Sequence, residues 1–309
     1  MYQARTVAAR IAEAGGPSAT IVVIRTTGDR VQDAPLSEIG GKRLFVKEIE
    51  EALAAGAIDL AVHSSKDLPA ELPAGLTIGA VLPREDPRDA FVLPAGAPRA
   101  AQLEDLLAVL GPAPAIGTGS VRRVAQLRRL MPDARFSDIR GNLDTRLRKL
   151  DEGRYGALVL AAAGLHRLGF GARISLAIPA SACLPAPGQG IIAVEIRADD
   201  ETTRAAVAPI DDPAAARALA AERALVTALG GGCQMPLGAL ARVEQGTLEL
   251  RGAVLSLDGS RAVQHRARGP LDDAAGLGRR VADALLADGA GALLDEVRRA
   301  QGAVEGLQP

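Results

Sequence analysis

Ile58-Asp-Leu-Ala-Val-His-Ser-Ser-Lys-Asp-Leu-Pro69 passes from a short apolar run into five consecutive polar residues. Ile58 to Val62 reads as a buried strand, because it is short, carries β-branched residues and follows the helix stop Ala55-Gly56. The polar residues then fall at its C-terminal end. In open α/β sheets ligands lie off the carboxyl ends of strands, so His63, Ser64, Lys66 and Asp67 stand where a site belongs. A solvated loop closed by Leu68-Pro69 has the same residue types, and this segment alone does not separate the two readings.

Working outward, the 309 residues are too many for one core, so two or three domains are expected. Hydrophobic content of 48% with 24% charge describes a globular protein, and no apolar run approaches the ~18 residues of a membrane helix. Residues 1–10 carry charges inside a helical pattern and lack the apolar core of a secretory signal, so a cytoplasmic location is expected. Cys183 and Cys233 are too few for a disulfide framework, and three scattered histidines give no metal pattern. Between Gly117 and Arg173 twelve Lys/Arg face five acids, a cationic region inside a chain of net charge -1. That excess points to an anionic ligand. Nucleic acid is not expected, since the region holds only Phe136, Tyr155 and Phe170 as stacking aromatics.

Along the chain a helix over 3–14 precedes a strand Ala19–Arg25, then Gly40-Gly41-Lys42 presents a lysine on a tight turn ahead of a helix over 45–55. Strands follow at 76–82 and 89–93, and Pro94-Ala-Gly-Ala-Pro98 reads as a boundary. A second α/β unit begins with Ala115-Ile116 and Gly117-Thr-Gly-Ser-Val-Arg-Arg123, where Ser120 is a candidate N-cap and the helix start with two guanidiniums makes an anion seat. Strand 134–139 ends in Arg140-Gly-Asn142, and the next helix carries Arg146 one turn in. Four arginines (122, 123, 140, 146) at strand-to-helix transitions favour one shared ligand over scattered surface charge. After strands at 155–160, 174–178 and 191–196, helices at 200–208 and 213–229 lead to Gly230-Gly-Gly-Cys233. Three strands (237–243, 248–257, 261–268) and two helices complete a small α+β unit. A thiol behind three glycines is either a reachable nucleophile or a buried inert residue; Cys183 is expected to be the latter.

His63-Ser-Ser-Lys-Asp-Leu-Pro69, Arg84-Glu-Asp-Pro-Arg-Asp-Ala-Phe91, Gly117-Thr-Gly-Ser-Val-Arg-Arg123, Arg140-Gly-Asn-Leu-Asp-Thr-Arg146, Ala163-Gly-Leu-His-Arg-Leu168, Leu184-Pro-Ala-Pro-Gly-Gln-Gly190 and Gly231-Gly-Cys-Gln-Met-Pro236, in this order, resemble the porphobilinogen deaminase (hydroxymethylbilane synthase) family. The resemblance implies a transferase that joins four porphobilinogen units head to tail with release of ammonia. It implies a dipyrromethane cofactor held by a thioether to Cys233. Asp67 matches the family's catalytic carboxylate. Arg122, Arg123, Arg140, Arg146 and Arg167 look like clamps for the pyrrole acetates and propionates. Lys42, Lys66, Ser64, Thr118, Ser120 and the amides of Gly188, Gln189 and Gly190 look like supporting contacts, and His63 is grouped with the substrate contacts.

The resemblance further implies α/β architecture with two periplasmic-binding-protein-like domains around a cleft, 1–94 with 190–208 and 95–189. A C-terminal domain over 209–309, with a three-stranded antiparallel sheet, presents Cys233, and a monomer is expected. Family members open with a strand bearing Arg-x-Ser ahead of the first helix, whereas Met1 falls near the start of that helix, so a sheet short of one strand is expected. Gly119 stands where the family has serine. Two rival readings are a non-catalytic receptor for an anionic small molecule, which needs neither Asp67 nor Cys233, and an inactive truncated paralogue.

Overall fold

The computed structural model describes residues 1–24, 26, 46–232 and 234–305, with backbone alone for 301–305. Among the described residues, two three-stranded antiparallel sheets and one mixed five-stranded sheet organise the chain. The first unit holds α1 (Tyr2–Glu13), α2 (Lys47–Ala54), β1 (Leu60–Ser64), a 3-10 turn over Ser65–Asp67 and β2 (Leu76–Val81). The second runs through β3 (Asp89–Val92), α3 (Leu103–Leu110), β4 (Ala115–Gly117), α4 (Val121–Arg128), β5 (Arg135–Ser137), α5 (Leu143–Asp151), β6 (Ala157–Ala161), α6 (Ala162–Arg167) and β7 (Leu176–Ala177). The chain then returns through β8 (Ile192–Arg197) and α7 (Glu201–Val207) to a third unit of α8 (Pro213–Ala228), β9 (Leu237–Glu244), β10 (Thr247–Leu255), β11 (Ala262–Gly269), α9 (Ala274–Ala287) and α10 (Ala290–Glu305).

The returning strand β8 takes the middle of the first sheet, antiparallel to β1 on one side and β2 on the other. Ile192, Val194 and Ile196 pack with Val7, Ile11 and Val207 on one face, and Ile191 and Ala193 pack with Val46, Leu68 and Leu219 on the other. A strand covered on both faces reads as a near-continuous apolar run, as this one does apart from Glu195. The second sheet has the order β5-β4-β6-β3-β7, with β4, β5 and β6 parallel and β3 antiparallel to β6. β3 therefore joins the second sheet, although the sequence reading put residues up to 94 in the first domain. The reason is a long-range pairing: Phe91 is fully buried and aligns with Val159.

The strand expected over Ala19–Arg25 is absent from the described part of that range, where Val22 and Val23 are 59% and 65% exposed. High β propensity without a ladder partner does not make a strand. Helix α3 had no counterpart among the sequence expectations; it starts where the Gln102 N–H donates to the Asp105 carboxylate at 3.2 Å.

Candidate active site at the junction of the two sheets

β1 runs two residues beyond its expected end, which decides the fate of His63. Alternation along β1 buries Ala61 and His63 and leaves Val62 and Ser64 half-buried. His63 faces Ala193 across the ladder, so its diagonal neighbour on the same face is Glu195, which it meets through Nε2 at 3.0 Å. Both side chains are sealed from solvent, so His63, expected as a substrate contact, lies in a buried polar pair inside the first sheet.

Ser64 is half-buried and accepts from Gln3 Nε2 on α1 at 2.7 Å. Lys66 and Asp67 then emerge on the 3-10 turn, and Asp67 is exposed. Burial depresses the Lys66 ammonium below its ordinary pKa; Asp67 opposes that shift, and Arg123 adds to it. Arg146 on α5 is likewise shifted down by burial and then by Arg123 and Arg140, with Asp138 and Asp67 pulling the other way. Asp67, on the first sheet, thus lies within electrostatic reach of a lysine beside it and an arginine from the second sheet.

The anion seat expected at the start of α4 is filled from within the protein. Asp89, fully buried on β3, receives Arg122 Nη1 at 2.7 Å and Arg123 Nε at 2.9 Å. Burial alone would raise the Asp89 carboxyl, but Arg122 and then Arg123 hold it well below the usual carboxylate range. Arg122 also donates to the Leu184 carbonyl, and Arg123 to that of Val159. Arg122 is 3% exposed, with Nη1 shared between Asp89 and the Leu184 carbonyl. One carboxylate between two guanidiniums leaves a net positive charge, which Lys66 and Arg146 register through Arg123.

The other expected contacts divide. Arg140 Nε donates to Asp138 at 2.8 Å, Arg146 Nε to the Gly141 carbonyl at 2.8 Å, and Arg167 Nη2 to the Gly190 carbonyl at 2.6 Å. All three guanidiniums remain partly exposed. Asn142 caps α5 by accepting from the Thr145 N–H, which fixes the turn carrying Arg140. Ser120 occupies the N-cap position of α4 without a side-chain cap bond. Gly188 and Gly190 adopt φ of +72° and +90°. Gln189 Nε2 reaches Pro87 O at 2.7 Å and Asp89 at 2.9 Å. Lys42 and Cys233 lie outside the described residues. Cys183 is the buried thiol expected, its pKa pushed up to about 12 by burial and by Asp89.

Sequence reasoning missed Glu222 on α8, which is fully buried. It accepts from Arg84 Nη1, from the Gly188 N–H and from the Ala241 N–H, each at 2.6 Å. This one carboxylate ties the return passage to the third unit. Nothing in a helical Ala-Ala-Glu-Arg segment announces it. Asp89 and Arg84 lie in a motif already singled out, and their burial was the part sequence could not supply.

Family profiles match most of the chain. "Porphobilinogen deaminase, dipyromethane cofactor binding domain" spans residues 1–205, and "Porphobilinogen deaminase, C-terminal domain" spans residues 216–287. The chain belongs to the porphobilinogen deaminase family. The porphobilinogen deaminase of Roseiflexus sp. (strain RS-1) is 52% identical over 90% of this chain and 89% of its own length. That of Moorella thermoacetica is 48% identical over 99% of this chain and 95% of its own. Among solved structures, the periplasmic VFT2 domain of Bordetella pertussis BvgS aligns at 15% identity and a TM-score of 0.38 over 68% of this chain and 76% of its own, a distant likeness. The chain is accordingly a transferase of tetrapyrrole assembly, and the receptor reading is not favoured.

Members of the porphobilinogen deaminase family work on a dipyrromethane cofactor, and the residues around Asp67 fit such a group. Two pyrroles with acetate and propionate arms require cations and polar partners. Lys66, Arg140, Arg146 and Arg167 are partly exposed cations at the junction, and the buried Ser65 Oγ, Thr118 Oγ1 and Gln189 Oε1 atoms have no hydrogen-bond partner among the described residues.

Proposed function

We propose that Asp67 is the catalytic carboxylate of this deaminase, and that Cys233 carries the dipyrromethane. Lys66, Arg123, Arg140, Arg146, Arg167, Ser64, Thr118, Ser120, Lys42 and the Gly188–Gly190 amides would hold the cofactor and growing product. Arg122 stands behind them as a structural partner of Asp89. The observation that carries the reading is the placement of Asp67: an exposed acid on the first sheet, felt by the desolvated Arg146 of the second. When bound, dipyrromethane supplies the tether and a nucleophilic pyrrole carbon.

Loss of ammonia from porphobilinogen leaves a cation spread over the pyrrole nitrogen. A fixed carboxylate beside that N–H stabilises it, a kind of effect worth on the order of 10²–10³ in rate where measured. Asp67 would also take up the proton released as the new bond forms. The surrounding guanidiniums bind the acetate and propionate arms, leaving orientation of the ring to Asp67. Asp67→Asn keeps shape and removes charge. Turnover is expected to fall on the order of 10²-fold or more with the unfolding midpoint unchanged; retained turnover would defeat the assignment. A cytoplasmic monomer that uses no nucleic acid completes the proposal, and sedimentation of the purified chain tests its oligomeric part.

A further inference from the structure

The parallel register of β4 and β5 pairs Gly117 with Ser137, and the Thr118 N–H donates to the Ser137 carbonyl at 3.0 Å. Just past the end of this ladder Gly119 lies against the Asp138 side chain and the Ile139 carbonyl. A Cβ at position 119 would stand 2.6 Å from Asp138 Oδ1, closer than side chains pack. The missing side chain at 119 is therefore the space that the Asp138 carboxylate uses. From there Asp138 Oδ2 accepts from Arg140 Nε at 2.8 Å, while Tyr155 Oη donates to the Asp138 carbonyl at 3.0 Å and Lys149 Nζ to the Arg140 carbonyl at 3.2 Å.

An ion pair whose side chains are 45% and 25% exposed adds little to stability. Its consequence is geometric. The guanidinium is planar, so an acceptor on Nε sets the tilt of the plane and leaves the two terminal nitrogens facing outward as a fork. Asp138 also acts, with Asp67, on the neighbouring Arg146.

We infer that Asp138 is a positioning residue, admitted by Gly119, which orients Arg140 to grip a carboxylate of the pyrrole chain. The inference rests on the reading of Arg140 as a contact to that chain. A resident acid tied to Nε costs the clamp part of its charge and gives it a fixed direction. Fixing a rotamer-rich side chain beforehand is worth up to roughly tenfold in binding.

Two concentrations test this on the full-length protein. One is the porphobilinogen concentration that half-saturates turnover. The other is the concentration that half-loads adduct onto newly made chain, read by intact mass. Asp138→Ala is expected to raise both roughly tenfold, kcat changing less than the half-saturating concentration. Asp138→Asn, whose amide oxygen still accepts from Nε, should recover most of the loss. Gly119→Ala should mimic Asp138→Ala by displacing the carboxylate, and the double variant should be no worse than either single change. The Arg140 Nε–H resonance should shift in Asp138→Ala and return in Asp138→Asn. If Arg140→Ala raises both concentrations and Asp138→Ala does not, the positioning role is overturned while the site reading stands. If Arg140→Ala changes neither, the site reading fails and takes this inference with it.

Discussion

Gly188 lies against the backbone of Lys66: a Cβ added at position 188 would stand 3.1 Å from the Lys66 nitrogen and 2.9 Å from Ser65 Cβ. With φ at +72°, the position also sits where non-glycine residues are strained. The return passage thus presses on the turn that carries Asp67. Gly188→Ala should cost about 1–3 kcal/mol through the backbone conformation alone. It should lower kcat more than a distant change of equal stability cost, because the turn must move. Thermal melts paired with turnover check this; a destabilised variant with unchanged kcat would show that the contact does not govern the site.

Asp89 is the one carboxylate shared by two buried guanidiniums, so its loss strands both. Asp89→Asn should destabilise the protein by about 3–5 kcal/mol, the range for breaking a buried pair by removing one partner. The folded-state pKa of Asp89 lies below the unfolded value of about 3.9. Its stabilisation is therefore complete above that value and is lost as pH falls through the lower, folded-state value. Urea midpoints measured from pH 7 down to pH 3 should show wild type losing its advantage over Asp89→Asn only toward the acid end.

Glu222 accepts two backbone N–H groups and Arg84 with no solvent contact. Glutamine keeps the shape but turns an NH2 toward one of those donors. Glu222→Gln should lose about 3–5 kcal/mol. Because the bond joins the return passage to the third unit, denaturant unfolding should also broaden or split. A single transition at the wild-type midpoint would contradict the linking role.

Cys183, with its pKa pushed up to about 12 and its sulfur buried against Asp89, should not react with iodoacetamide in native protein at neutral pH. Mass mapping of alkylated peptides checks this. The thiol should become reactive only in denaturant.

Much of this architecture was legible because its signals are local. β-branched runs, glycine stops and amphipathic spacing marked β1, β2, β6, β8 and the C-terminal meander near their observed bounds. What failed was long-range. Nothing near Asp89 says that its strand pairs with β6 and not with β2, and two adjacent arginines look alike whether they face solvent or a buried acid. His63 was expected in the loop past β1, but the strand runs two residues further and carries it onto the buried face beside Ala61. The strand expected over 19–25 has no counterpart at 19–24 among the described residues, since propensity does not encode a ladder partner. For Asp67, Lys66 and Arg146 motif chemistry and sheet geometry point the same way, which is why they carry the proposal.

The most direct test of the central claim is the intact mass of the purified chain, followed by mass mapping of tryptic peptide 224–242, which contains Cys233. A covalent dipyrromethane on that peptide, missing from Cys233→Ser, is the predicted result. A bare chain that stays bare after incubation with porphobilinogen, or an adduct that survives Cys233→Ser, would contradict it.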